Sequence, residues 1–108
     1  MTDQFSMSSF RLDGRVALVT GAGQGLGASI SMAYAKAGAS VVLLGRTESY
    51  IQETADSIRQ DGGEASVIVC DVTDDYRLRS AIGGLSRLDI LVNNAGTNFP
   101  EPFLDVSD

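Results

Sequence analysis

The sequence predicts an α/β fold, a doubly wound parallel sheet of about four strands. Three observations predict it. Short apolar runs at Val16-Ala17-Leu18-Val19 and Val41-Val42-Leu43-Leu44 read as buried strands, and Ala65 to Cys70 and Ile90-Leu91-Val92 as a third and a fourth strand. Segments with apolar residues at helical spacing lie between them. The connections are short, so the order βαβαβαβ implies parallel strands with helices packed on the sheet.

Each element has its own signal. Met1 to Ser9 is polar and mixed and reads as a flexible leader, with the domain over 10–108. After the first strand the chain is glycine-rich, and Leu26, Ile30, Ala33 and Ala37 then recur at helical spacing up to a stop at Gly38. Thr47 is placed to cap a second helix with the stripe Ile51, Ala55 and Ile58, ended by Gly62-Gly63. Thr73 followed by Asp74 and Asp75 starts a third helix, since acids favour the positive end of the helix dipole. Its stripe is Leu78, Ile82 and Leu85, and Gly83-Gly84 weakens its end. The expected strand order is 3-2-1-4. Strand four is then an uncharged apolar edge, open to pairing with a further strand.

Composition narrows the function. The chain has 108 residues, room for one domain, and is 44% hydrophobic and 20% charged, as soluble globular proteins are. Net charge is -6 with no run of Lys or Arg, which argues against nucleic acid or an anionic membrane as partner. No stretch approaches the roughly 18 apolar residues of a membrane span, and a cytoplasmic location is the expectation. There is no His, and the single cysteine, Cys70, sits in an apolar run and reads as a small buried hydrophobe. No metal site is expected.

The chemistry concentrates in Thr20-Gly21-Ala22-Gly23-Gln24-Gly25-Leu26-Gly27. This string follows a buried strand and opens an amphipathic helix at the start of a βαβ unit. That is the context of the Rossmann dinucleotide-binding fingerprint. A helix N-terminus offers unpaired N–H groups and partial positive charge, so an otherwise acidic protein can hold a diphosphate there. Gly21 permits the sharp turn, Gly25 the close approach of the ligand, and Gly27 the packing of helix against strand. No Gly-Lys-Ser/Thr follows, which rejects a nucleoside-triphosphate loop.

The glycine spacing, read as Thr-Gly-x-x-x-Gly-x-Gly, resembles the short-chain dehydrogenase/reductase family. Asn93-Asn94-Ala95-Gly96 after strand four, Asp71-Val72 after strand three and the approach Leu12-Asp13-Gly14-Arg15 agree with it. The resemblance runs from about Phe10 to Asp108; it implies that 10–108 is the N-terminal part of a larger Rossmann domain, and it implies hydride transfer between NAD or NADP and an alcohol or ketone. It places Gly21, Gln24, Gly25, Leu26 and Gly27 at the pyrophosphate and its ribose, and Asp71 with Val72 at the adenine. Asn94, Ala95 and Gly96 would line the cofactor cleft, with Asn93 stabilising the sheet. The full-length protein is expected to be a homo-oligomer.

The end of strand two selects the cofactor. NAD enzymes place an acid there for the ribose 2′-OH. This chain has Gly45-Arg46, and Arg46 can pair with a 2′-phosphate, so NADP is expected with NAD as the alternative. Gln24 stands where many NADP-preferring relatives carry a basic residue. The family's catalytic Ser and Tyr-x-x-x-Lys are absent: Tyr34, Tyr50 and Tyr76 have Gly38, Thr54 and Ser80 four residues on, and Lys36 is the only lysine. No catalytic residue is assigned. A non-enzymatic dinucleotide sensor remains the alternative. A Rossmann-like methyltransferase would usually want an acid where Gly45-Arg46 stands.

Overall fold

The computed structural model describes residues 11–94. The predicted leader lies outside them. The elements are β1 Val16–Thr20, α1 Gly25–Lys36, β2 Ser40–Gly45, α2 Glu48–Gln60, β3 Glu64–Val69, α3 Asp75–Gly83 and β4 Ile90–Val92. The strands pair in parallel in the order β3-β2-β1-β4, as expected. The sequence reading of β3 as Ala65 to Cys70 is displaced by one residue.

Strand alternation divides the core between the two faces of the sheet. Leu18, Val42 and Leu44 point to one face, where Leu78 and Ile82 of α3 close over them. Val19, Val41 and Leu43 point to the other, against Ile51, Ala55 and Ile58 of α2. Met32, Tyr34 and Ala35 of α1 pack on that second cluster. Leu18, Leu43 and Leu44 are fully buried, and each burial stabilises the fold by about 1.5–3 kcal/mol relative to an exposed side chain.

Two local expectations are corrected. Of the apolar stripe assigned to α1, only Ala37 at its C-cap is buried. Leu26 and Ala33 are exposed and Ile30 is half-buried, while Gly27 and Ser31 are the residues turned inward. Small side chains let the helix axis approach the sheet, and the buried Ser31 hydroxyl donates to the Gly27 carbonyl at 2.8 Å, so its burial leaves no unpaired group. Thr47 stands at the N-cap of α2, but its side chain makes no capping bond. α3 starts at the acids expected to open it: Asp74 is its N-cap, with its carboxylate accepting from the Arg77 amide at 3.2 Å, and Asp75 stands in the first turn.

β4 is registered against β1 from its first turn. Asp89 accepts the Val16 amide at 2.8 Å through the same oxygen that accepts Arg87 Nε at 2.8 Å. The Asp89 amide in turn donates to the Val16 carbonyl at 2.9 Å. The Arg87 guanidinium and then the Val16 amide hold the Asp89 carboxyl below the usual carboxylate range. A depressed folded pKa means the contribution is complete above the unfolded carboxylate pKa and is lost as pH falls through the folded one. Asp89→Asn is therefore expected to lower the melting temperature at neutral pH, with the gap to wild type narrowing below about pH 4. Thermal unfolding of both proteins across pH 2–7 checks this. A gap that stays constant over that range would contradict it.

Candidate functional site

The carboxyl ends of β1, β2, β3 and β4 open onto one edge of the sheet. β1 lies between β2 and β4, so successive connections leave it in opposite directions and a crevice opens there. Thr20 closes β1 inside the core, and its hydroxyl lies 3.3 Å from Asn93 Oδ1 and 3.4 Å from the Val92 carbonyl. The chain then turns through Gly21 (φ +62) and the buried Ala22, whose amide donates to the Leu44 carbonyl at 3.3 Å. α1 begins at Gly25.

The two later glycines of the loop do different things. Gly27 sits where a Cβ would overlap the Gly21 carbonyl oxygen and come within 2.7 Å of Asn94 Nδ2. Asn94 donates from that nitrogen to the Gly21 carbonyl at 3.2 Å. The turn, the helix and the end of β4 thus meet at one point with no room for a side chain. Gly25 is the reverse: its φ of +56 favours glycine, and a Cβ there would meet nothing within 4 Å. The space in front of the helix is open. Gln24 occupies the N-cap without a side-chain capping bond, and the first turn carries no acid. The first amides of α1 are left without an intrahelical or side-chain acceptor. Leu26 is 68% exposed and faces away from the core.

Two recesses flank the end of β2 and share Gly21, Gly45 and Arg46. One, of about 150 Å³, adds Gln24, Thr47 and Tyr50. The other, of about 260 Å³, adds Cys70, Asp71, Val72 and Thr73. Arg46 is exposed between them. Asp71 is half-buried, and its Oδ1 accepts both the Thr73 amide at 2.9 Å and the Thr73 hydroxyl at 2.7 Å. Those two bonds, with Arg46 adding a smaller attraction, hold the Asp71 carboxyl below its ordinary range. Burial pushes the Cys70 thiol up, so it is an apolar wall rather than a nucleophile. A third recess, of about 640 Å³, lies at the opposite end of the sheet near Lys36, Gly38 and Gly62.

The structure therefore gathers Gly21, Gln24, Gly25, Leu26, Gly27, Arg46, Asp71, Val72 and Asn94 at one end of the sheet. Ala95 and Gly96 lie outside the described residues. Sequence reasoning did not single out Tyr50 or Thr73 as parts of this crevice. For Thr73 the signal was present as Asp-x-Thr, a pattern that folds back on itself through the carboxylate. Unpaired amides, an exposed guanidinium and an ionised carboxylate in one crevice suit an elongated ligand with anionic and amine-bearing parts. Among the described residues, no group of side chains is arranged to hold a metal, and no helix is long and apolar enough to cross a membrane.

Comparison with known proteins agrees with this geometry. The family model described as short chain dehydrogenase matches residues 15–108. The chain is 43% identical over 103 residues to a 7alpha-hydroxysteroid dehydrogenase of Escherichia coli, covering 92% of this chain and 40% of that protein. A crystal structure of a hydroxysteroid dehydrogenase from Escherichia coli superposes with a TM-score of 0.77 at 38% identity, over 90% of this chain and 46% of that one. The RhlG/NADP active-site complex of Pseudomonas aeruginosa superposes with a TM-score of 0.72 at 40% identity, over 90% and 40% respectively. The chain thus spans less than half the length of each of these relatives. A glycine turn locked to Asn94, the β3-β2-β1-β4 order and a family match over nearly all of the sequence make one statement: the chain belongs to the short chain dehydrogenase family.

Proposed function

We propose that this chain is the dinucleotide-binding portion of an oxidoreductase that takes NADP in preference to NAD and acts on an alcohol or ketone. The observation that supports this best is the pairing of a bare α1 N-terminus with Arg46 in one crevice. The fit to a dinucleotide rests on the open space in front of Gly25. The diphosphate and its ribose lie against Gly21, Gln24, Gly25, Leu26 and Gly27. Arg46 takes the 2′-phosphate, and no acid at the end of β2 repels it. Asp71 and Val72 hold the adenine, and Asn94, Ala95 and Gly96 border the path toward the nicotinamide. NAD is accepted more weakly. The cofactor supplies or accepts the hydride. The relative solved with NADP is consistent with this assignment.

The residues present bind and orient, and none of them moves a proton for the reaction. No tyrosine is followed by lysine at the family's spacing. The substrate is a small molecule, and the full-length protein is a cytoplasmic homo-oligomer. Full-length protein mixed with NADPH and a panel of ketones is expected to consume the cofactor faster than with NADH. The 108 residues by themselves are expected to give no steady change at the nicotinamide absorbance. Turnover by those residues would overturn the division of labour, and a full-length protein inert with every dinucleotide would overturn the oxidoreductase reading.

A further inference from the structure

The glycine loop meets α2 at a point that has no room for a side chain. A Cβ at Gly23 would lie 2.7 Å from Tyr50 Cβ and 3.3 Å from the Ile51 amide nitrogen, whereas one at Gly25 would meet nothing. A Cβ at Gly45 would come within 2.8 Å of Ile51 Cγ2. The first turn of α2 is thus seated against two glycines, one from the loop and one from the end of β2. Thr54 is buried behind the seat, where its hydroxyl donates to the Tyr50 carbonyl at 3.3 Å and lies 3.5 Å from the Gly23 carbonyl. The Tyr50 and Ile51 amides donate to the Thr47 carbonyl at 3.2 Å and 3.3 Å, and Arg46 directly precedes Thr47. A displacement of Tyr50 and Ile51 is therefore carried through one helical turn to Arg46. The recess of about 150 Å³ lies between the two sides of this contact, with Gly21, Gly23 and Gln24 on one and Arg46, Thr47 and Tyr50 on the other.

We propose that Gly23 is a positioning residue: its missing side chain sets the spacing between the α1 amides and Arg46, and so makes the site select a dinucleotide with a 2′-phosphate over one without it. This deepens the proposed dinucleotide function and rests on it. A ligand that reaches both the helix N-terminus and the guanidinium is held at two anchors, and one that ends in a free 2′-OH uses only the first. A side chain at position 23 changes the distance between the anchors without standing in front of the α1 amides, because it points at α2. The loop is pinned on its other side, by the Ala22 amide to the Leu44 carbonyl and by Asn94 to the Gly21 carbonyl. Residues 46–50 are exposed, so the first turn of α2 is what gives way to an added methyl. Pairing of a guanidinium with phosphate depends on alignment as well as distance, and the loss falls on the phosphorylated ligand. A merely structural glycine would affect both ligands alike.

The test is calorimetric titration of the full-length protein with NADP and with NAD, read as the ratio of the two affinities. Gly23→Ala is expected to lower that ratio about fivefold, part of the worth of a charge-assisted hydrogen bond, with NAD affinity staying within about twofold of wild type. Tyr50→Gly removes the Cβ that the new methyl would strike. In that background Gly23→Ala is expected to change the ratio by about twofold or less, a coupling that the double-mutant cycle isolates from whatever Tyr50→Gly does by itself. A wild-type ratio near one would overturn the NADP reading and this proposal with it. A wild-type preference that Gly23→Ala leaves unchanged would overturn the role of Gly23 alone. So would equal losses of both cofactors, or the same fall in ratio in the Tyr50→Gly background.

Discussion

Gly25→Val is expected to cost about 100-fold or more in dinucleotide affinity, the loss of two charge-assisted hydrogen bonds to phosphate. The physical ground is local. The Cβ position at Gly25 faces open space at the helix N-terminus, where the diphosphate must come within hydrogen-bonding reach of the amides. A branched side chain fills that space. The backbone there has φ +56, so the substitution also adds about 1–2 kcal/mol of left-handed strain. Gly27 supplies the contrast. Its missing Cβ would strike the Gly21 carbonyl and Asn94, both parts of the fold itself. Gly27→Ala is expected to destabilise the protein by about 1–3 kcal/mol whether or not cofactor is present. Titration calorimetry and thermal unfolding of both variants separate the two cases. Wild-type affinity in Gly25→Val, with helical content retained, would place the phosphate site elsewhere.

Arg46→Ala is expected to weaken NADP by about 1–3 kcal/mol, roughly 5- to 150-fold, and to leave NAD nearly unchanged. The reason is the chemistry at the end of β2. Gly45 brings no side chain, Arg46 is exposed, and no carboxylate stands there to accept from a free 2′-OH. Exposure screens the guanidinium, which puts the effect toward the lower end of that range. Lys at the same position should recover only part of the loss, because an ammonium is a point charge without the bidentate fork. Paired titrations of NADP and NAD check this. Equal losses for both cofactors would show that Arg46 supports the fold rather than the phosphate.

The sequence made strands and sheet order legible because each strand is a short apolar run bounded by glycine or polar residues. α2 was equally legible: it is polar overall, so Ile51, Ala55 and Ile58 stand out as a single stripe, and all are buried. α1 was not. Leu26, Ala28, Ile30, Met32, Ala33, Tyr34, Ala35 and Ala37 surround it with apolar surface, so periodicity had no unique phase. The inward face was chosen by size, through Gly27 and Ser31, and size does not register in a hydrophobic period. The candidate site shows the same division. Its glycine loop was readable from spacing, but the contact of Asn94 with Gly21 joins residues 73 apart in the chain. The turn that binds Thr73 to Asp71 went unread because Thr73 reads with Asp74 and Asp75 as the start of α3.

The most direct test of the central claim is an amide NMR titration of the full-length protein with NADP. The account predicts that resonances of Gly21 to Gly27, Arg46, Asp71 and Asn94 move together and saturate at one equivalent. Those of Lys36, Gly38 and Gly62, around the larger recess of about 640 Å³ at the other end of the sheet, should stay in place. Shifts confined to that opposite end, with the glycine loop unmoved, would contradict it.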